Sequence, residues 1–307
     1  MGKIAFLFAG QGAQYVGMGK SLYDSNAAAR RVFDSAEAMR PGLLELCFEG
    51  SLEALSQTIN TQPALFTVGY ACAAALNAEG IVPEAAAGFS LGELPAAAFC
   101  GMLSFEDAFS LVTERARLMQ SCAEVIPGAM VAVMKLNDTV VNDICGRIPG
   151  SYPVNYNCPG QIVVACLADN ADALVKAAKE AGGRAIKLRV SGAFHSPYMQ
   201  KAAEGLDKYL KNITLNKTTI PLYANLNAKP YADDHYAETL AAQVKSPVLW
   251  QQTIENMSAD GITHFIELGA GNVLAGLVKA ILPEANVISF EKPDSLSAVK
   301  ELCQCLI

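Results

Sequence analysis

Residues 84–96, EAAAGFSLGELPA, run a small apolar segment, Ala85 to Ala87, into Gly88 and Gly92 with Ser90 centred between them. G-x-S-x-G spacing behind a short strand describes a nucleophile elbow, a sharp strand-to-helix turn that pushes a serine hydroxyl out of the backbone. Side chains at the two glycines would collide where strand and helix close on each other. A plainer account is also open, because Ser90 and Glu93 match the S-x-x-E pattern of a helix cap. The elbow reading predicts a helix opening at Leu91 that bends or tightens near Pro95, since proline is tolerated only in the first helical turn.

Upstream, KIAFLF (3–8) is a continuous apolar strand of the kind buried on both faces of a parallel sheet. It runs into AGQGAQ (9–14), a glycine loop that places Gln11 and exposed backbone N–H groups at a strand's carboxyl end, where open α/β sheets bind ligands. A dinucleotide fingerprint is incomplete here, because Tyr15 stands where a third glycine belongs. LGAGNVLAG (268–276), behind the strand HFIEL (264–268), misplaces its third glycine too. Helices are predicted over 26–39 and 63–78, the second alanine-rich and interior.

Periodicity is most informative over Phe105–Ala123. Ser104 and Asp107 form a carboxylate variant of the capping box. Phe105, Ala108, Phe109, Val112, Ala116 and Met119 then make a 3.6-residue apolar stripe. Arg115 falls within the edge of that stripe, whereas Arg117 falls on the opposite, solvated face. An inward guanidinium needs a partner. An internal carboxylate and a bound ligand serve equally well.

Beyond Pro127–Gly128 the character changes. Strands at 129–136, 152–157, 161–167 and 184–190, with helices at 138–146 and 170–182, spell β-α-β-β-α-β, the ferredoxin-like order. Residues 127–192 carry seven lysines and arginines against five acidic residues, a net +2 that leaves −9 for the rest of the chain. Arg184, Lys187 and Arg189 cluster near the last strand of this insert. They are explained by an ordinary solvated face or by charge-steered docking of an acidic partner. The chain then returns through VSGAFHSPYM (190–199), a helix over 198–210, an extended PLYANLNAKP segment, a helix over 236–244 and another opening at 247–250.

A serine hydroxyl needs a base, and three histidines are available. His235 lies in an exposed-looking helix start and His264 opens a strand. His195 sits in a tight loop downstream of the serine, the chain order of α/β-hydrolase-like sites, and is the preferred base.

Bulk properties exclude several classes. The 307 residues, 52% hydrophobic with mean hydropathy +0.25, suffice for one large α/β core or two domains. A net charge of −7 argues against nucleic-acid binding. No apolar run reaches the roughly 18 residues of a membrane span, Ile4–Ala9 is too short for a signal peptide, and Phe6 spoils a myristoylation motif. Nine cysteines without CxxC or zinc spacing read as reduced packing residues of a cytoplasmic protein, with Cys303 and Cys305 as surface detail.

Seven segments together resemble one family, the malonyl-CoA:acyl carrier protein transacylases and the related acyltransferase domains of polyketide synthases. They are FAGQGAQ (8–14), GFSLGE (88–93), ERARLMQ (114–120), NYNCPGQIVVA (155–165), GAFHSPYM (192–199), QVKSPVLW (243–250) and IELGAGNVLAGL (266–277). The resemblance implies an α/β-hydrolase-like catalytic domain with a parallel sheet (1–126 and 193–307) and an inserted ferredoxin-like subdomain (127–192). It implies malonyl transfer from malonyl-CoA to the phosphopantetheine thiol of an acyl carrier protein, through a malonyl-serine.

On this resemblance Ser90 is the acylated nucleophile and His195 its base and acid. Backbone N–H groups of Gln11 and Leu91 form the oxyanion hole. Arg115 grips the malonate carboxylate and, left empty, would stand unpaired. Asn155 and Gln243 line the site, Gln243 through contacts that orient His195. No cofactor or metal is implied. The expected partners are malonyl-CoA and an acidic carrier protein, and nothing demands more than a monomer. Two departures stand out: Phe89 replaces the family's usual histidine, and Leu94–Pro95 occupies the stretch where tyrosine is common. A serine thioesterase using water, and a non-catalytic docking subunit, are the competing functions.

Overall fold

The computed structural model describes residues 2–190, 192–232 and 235–304. Cys305, half of the tail pair noted above, lies outside them. The first half of the chain holds β1 (Lys3–Phe8), then α1 (Lys20–Ser25), α2 (Ala27–Met39), α3 (Leu43–Phe48), α4 (Leu52–Ser56) and α5 (Thr58–Ala78). The elbow strand β2 (Ala85–Gly88) precedes α6 (Glu93–Phe99) and α7 (Phe105–Val125). Next come β3 (Gly128–Met134), α8 (Asp138–Arg147), β4 (Tyr152–Cys158), β5 (Gln161–Leu167), α9 (Ala171–Glu180) and β6 (Arg184–Lys187). The return holds α10 (Gln200–Leu210), β7 (Leu222–Tyr223), α11 (Tyr236–Gln243) and α12 (Trp250–Ala259). Then β8 (Ile262–Leu268), α13 (Val273–Ile281), β9 (Asn286–Phe290) and α14 (Leu296–Gln304) complete the described chain.

Five strands form a parallel sheet in the order β7-β2-β1-β8-β9. β1 is central, which is why KIAFLF is apolar on both faces: only Lys3 is exposed. Helices cover both sides, as a parallel sheet requires. α5 is interior as its alanines suggest, although it begins five residues earlier than its sequence pattern indicates. Pro63 falls inside it and cannot donate to the carbonyl of Ile59. Arg40 donates to that oxygen instead, at 2.7 Å.

The second sheet is antiparallel, in the order β4-β5-β3-β6. With α8 and α9 packed on one face it has a core of its own, built around Val131, Val133, Ile144, Ile162, Val164 and Leu174. This matches the ferredoxin-like order of elements. β4 is also tied to the large sheet's side of the molecule. Tyr156 N donates to Val248 O at 3.0 Å and Val248 N donates to Val154 O at 2.8 Å. That splice holds Asn155 over the carboxyl ends of β1 and β2. Gly128 and Ala193, where the chain leaves and returns, lie so close that a Cβ on Gly128 would stand 2.5 Å from Ala193 N.

The elbow corrects one expectation. The α-helix opens at Glu93, and Ser90–Gly92 form a single 3₁₀ turn ahead of it. Pro95 is then the third residue of α6, where its missing N–H breaks no ladder, so the tightening occurs upstream of the proline. Both glycines are sterically obligatory. A Cβ on Gly88 would lie 1.9 Å from Gly92 C, and one on Gly92 would lie 2.1 Å from Phe8 O.

Gly92→Ala is expected to lose about 3 kcal/mol or more of stability, because the obstructing atoms are sheet backbone and cannot move aside. Gly146→Ala, in α8 where an added Cβ meets nothing within 4 Å, should instead gain about 0.5–1 kcal/mol. Urea unfolding of the two variants checks both signs.

Candidate functional site

Ser90 sits at φ 53° and His195 at φ 60°, both in the left-handed region that non-glycine residues rarely occupy. Such backbone strain persists only where surrounding structure over-determines it. Around Ser90 that structure is Asn225. Its Oδ1 accepts from Ser90 N at 2.6 Å, its Nδ2 donates to Gly88 O at 2.7 Å, and its own N donates to Glu93 Oε2 at 2.9 Å. The cap reading is thereby excluded. Glu93 does not reach back to Ser90 N, and the Ser90 hydroxyl turns instead toward His195.

The geometry of that pair fixes its protonation. Ser90 Oγ lies 2.6 Å from His195 Nε2. Nδ1 of His195 faces two backbone carbonyls, Gln243 O at 3.0 Å and Ser246 O at 3.2 Å, which only accept. The proton therefore belongs on Nδ1, leaving the Nε2 lone pair for the serine hydroxyl. Burial, helped by the positive charge of Arg115, pulls the imidazole down to a pKa of about 4, and the two carbonyls only partly oppose this. The other histidines lie elsewhere: His235 is exposed and paired with Glu238, and His264 bonds Thr263 on β8.

Arg115 is inward-facing, 3% exposed, while Arg117 lies on the surface paired with Glu114. Neither a direct carboxylate partner nor an unpaired state describes Arg115. Nη1 donates to Gln62 Oε1 at 2.8 Å, and Nη2 donates to Gln243 Oε1 at 2.9 Å and to Ser90 Oγ at 3.3 Å. Burial lowers its pKa to about 10, with Glu93 opposing, so it stays charged at neutral pH. Glu93 is fully buried. Burial raises its pKa against the pull of Tyr231, Gln243, Asn225 and the Arg115 charge.

Gln243 takes part more fully than expected. Its carbonyl orients His195, as anticipated, but its side chain also donates to Ser90 O at 2.8 Å and to Glu93 Oε2 at 3.1 Å. Asn155 is buried on β4, and its Oδ1 has no partner. The same holds for Asn157, two residues on, where β4 shifts register against β5. Both, with Gln11, Ser90 and His195, line a cavity of about 250 Å³ between the two sheets. Leu91 is buried within the 3₁₀ turn, where first-turn N–H groups are free of the helix ladder. Phe89 lines the cavity and packs edge-on against Trp250, ring centroids 5.3 Å apart.

The amides at the start of α13, behind the second glycine loop, are occupied by a protein carboxylate. Glu267 accepts from Leu274 N and Ala275 N at the start of α13, at 2.9 and 2.8 Å. Glu291 accepts from Gly19 N and Gly271 N, at 3.3 and 3.4 Å. A pyrophosphate at the start of α13 would have to displace Glu267. Among the described residues no group of three or more His, Cys, Asp or Glu could hold a metal ion, and no helix is long and apolar enough to cross a membrane. Gln62, Glu93, Asn157 and Asn225 were absent from the sequence-derived site. Asn157 carried a signal in the period-two Asn-x-Asn of β4, and Gln62 carried one as a polar residue in an otherwise apolar helix.

Comparison with known proteins gives a consistent picture. The family model for the acyl transferase domain matches residues 5–292. The malonyl CoA-acyl carrier protein transacylase of Bacillus subtilis is 39% identical over 303 residues, covering 96% of each chain. The crystal structure of the transacylase of that name from Clostridium perfringens superposes with a TM-score of 0.94 at 38% identity, over 99% of this chain and 98% of that one. A malonyl-transacylase solved with its type II polyketide synthase acyl carrier protein gives 0.94 at 31% identity, over 97% and 99%.

The environment of His195 makes a direct prediction. Its ring should stay neutral from pH 8 down to about 4, read as a proton NMR titration of the imidazole. Because the folded pKa lies below the unfolded value near 6.5, the stability this confers is complete above that value. It should be lost progressively as the pH falls from there through about 4.

Proposed function

The chain belongs to the acyl transferase domain family, among the malonyl-CoA:acyl carrier protein transacylases, and from that membership we propose how its own residues carry the reaction. It transfers a malonyl group from malonyl-CoA to the phosphopantetheine thiol of an acyl carrier protein through a malonyl-serine. The relatives are named for transfer, so the hydrolytic alternative raised by the sequence is set aside.

The observation that carries the mechanism is the 2.6 Å contact between Ser90 Oγ and an imidazole held neutral with its lone pair on the serine side. Ser90 Oγ attacks the thioester carbonyl as its proton passes to His195 Nε2. The oxyanion is met by the N–H groups of Leu91 and Gln11, each donor typically contributing about 3–4 kcal/mol to the transition state. The C–S bond then breaks, and His195 returns the proton to the CoA sulfur. The carrier thiol enters by the same steps in reverse, a ping-pong cycle.

Arg115 takes the malonate carboxylate in a charge-assisted pair. Gln62 and Gln243 hold its guanidinium in place before substrate arrives, so the clamp is pre-organised. Asn155 and Asn157, which line the cavity, are placed beside the path of the pantetheine arm, which CoA and the carrier share. Residues 127–192 act as a subdomain roofing the cavity, and 1–126 with 193–307 form the catalytic domain. The exposed Arg184, Lys187 and Arg189 on that roof suit an acidic carrier. We read the enzyme as a cytoplasmic monomer that keeps its cysteines reduced.

Incubation with malonyl-CoA and no acceptor should give one malonyl adduct by intact-protein mass spectrometry, absent in Ser90→Ala; a wild-type protein that forms none would refute the mechanism. Arg115→Ala should lower malonyl transfer by about 100-fold or more and raise acetyl transfer relative to it. Preference for malonyl in that variant would remove Arg115 from the role of clamp.

A further inference from the structure

Four glycines fall among the 11 residues of the 9–19 loop, three of them, Gly12, Gly17 and Gly19, at positive φ. Such a segment has much conformational freedom to lose. Yet it carries Gln11, whose backbone N–H has to point at one place beside Ser90 if the mechanism above holds. Few contacts hold the front of this loop. Ala9 N donates to Leu268 O at 3.0 Å, and the Gln11 side chain reaches Thr58 Oγ1 only at 3.4 Å.

The back of the loop is held by Gly17 N, which donates to Cys47 O at 2.8 Å, and by one side chain that reaches both glycine loops. Glu291, 8% exposed, follows the last strand of the parallel sheet. Its Oε1 accepts from the Tyr15 hydroxyl at 2.5 Å and from Gly19 N at 3.3 Å. Its Oε2 accepts from Gly271 N at 3.4 Å, in the second glycine loop. The two loops touch: a Cβ on Gly271 would stand 3.8 Å from Ala13 O, and one on Gly269 would stand 3.2 Å from Ala9 Cβ. Both loops also line the cavity, through Gln11, Gly12 and Ala13 on one side and Val273 and Leu274 on the other.

We propose that Glu291 is a positioning residue for acyl transfer, which with Tyr15 locks the two glycine loops together and so aims the Gln11 N–H at the oxyanion. It touches no substrate. The inference rests on the assignment of Gln11 as an oxyanion donor. A carboxylate suits the task because it accepts from three donors on two oxygens. Glutamine in its place offers one acceptor oxygen and turns an amide N–H₂ toward a donor.

The test is the pre-steady-state rate of CoA release from malonyl-CoA in Tyr15→Phe, Glu291→Gln, Glu291→Ala and the double variant Tyr15→Phe/Glu291→Ala. A misaimed oxyanion donor lowers the plateau rate while leaving ground-state binding alone. Glu291→Ala should fall about 10-fold or more at saturating malonyl-CoA and Tyr15→Phe about 3-fold, against the 10²–10³ of a donor removed outright. KM should stay within about two-fold and the pH midpoint of acylation should not move, since the Ser90–His195 pair is untouched. The double variant should be no slower than Glu291→Ala, because both changes break one clamp. A folded Tyr15→Phe and Glu291→Gln with wild-type plateau rates would overturn the proposal, as would a loss confined to KM or a shifted pH midpoint. Tyr15→Phe removes only a hydroxyl, so it decides the matter even where Glu291→Ala fails to fold. Failure of the underlying mechanism would look different: the wild-type protein itself would form no malonyl-serine.

Discussion

A buried guanidinium and a buried carboxyl group that never touch govern this molecule. Arg115 and Glu93 are both removed from water, and the side-chain amide of Gln243 lies between them, accepting from one at 2.9 Å and donating to the other at 3.1 Å. A direct ion pair would spend the guanidinium on the protein's own carboxylate. The amide relay links the two buried groups without a direct pair and leaves Nη2 of the arginine within 3.3 Å of Ser90 Oγ. Because the carbonyl of Gln243 also fixes the His195 tautomer, one residue sets the orientation of the arginine, the imidazole and the serine backbone together.

How much of this could be read in the sequence depended on the range of the force involved. The elbow was legible because part of its cause is local: a side chain on Gly88 would meet the backbone of Gly92 four residues on, whereas Gly92 itself is pressed against Phe8 of β1. The burial of Arg115 was legible because helical periodicity sorts Arg115 from Arg117 whatever the partner. The βαββαβ order survived intact because each element of the insert carries its own pattern. What stayed hidden was contact across the fold. Asn225 meets Ser90 from 135 residues away, Gln62 meets Arg115 from 53, and Glu291 meets Gly19 from 272. No window of sequence contains both partners. The short helices α1, α3 and α4 and the strand β9 were missed for a related reason, since five or six residues, or a half-buried edge strand, give periodicity too little to act on.

The two departures from the family pattern have simple consequences here. Phe89 meets the edge of Trp250, so the position is filled by an aromatic contact with no proton to exchange. Pro95 lands in the first turn of α6 because the 3₁₀ turn at Ser90–Gly92 delays the helix by two residues. The strain at Ser90 and the tolerance of Pro95 therefore share one cause, the tight closure of strand on helix that the two glycines permit.

The Arg115 charge also acts on the imidazole, and this couples substrate choice to reactivity. The guanidinium helps hold His195 neutral by opposing a second positive charge. In the proposed mechanism His195 must become cationic as it takes the serine proton, and the same guanidinium then works against it. On the proposed clamp, a malonate carboxylate seated on Arg115 would cancel that opposition and make the imidazolium less costly to form. An acetyl group brings no carboxylate and leaves the opposition in place. On the proposed mechanism, selection for a malonyl group would act twice through one residue: once as a bond the wrong substrate cannot make, and again as a proton transfer the wrong substrate does not ease.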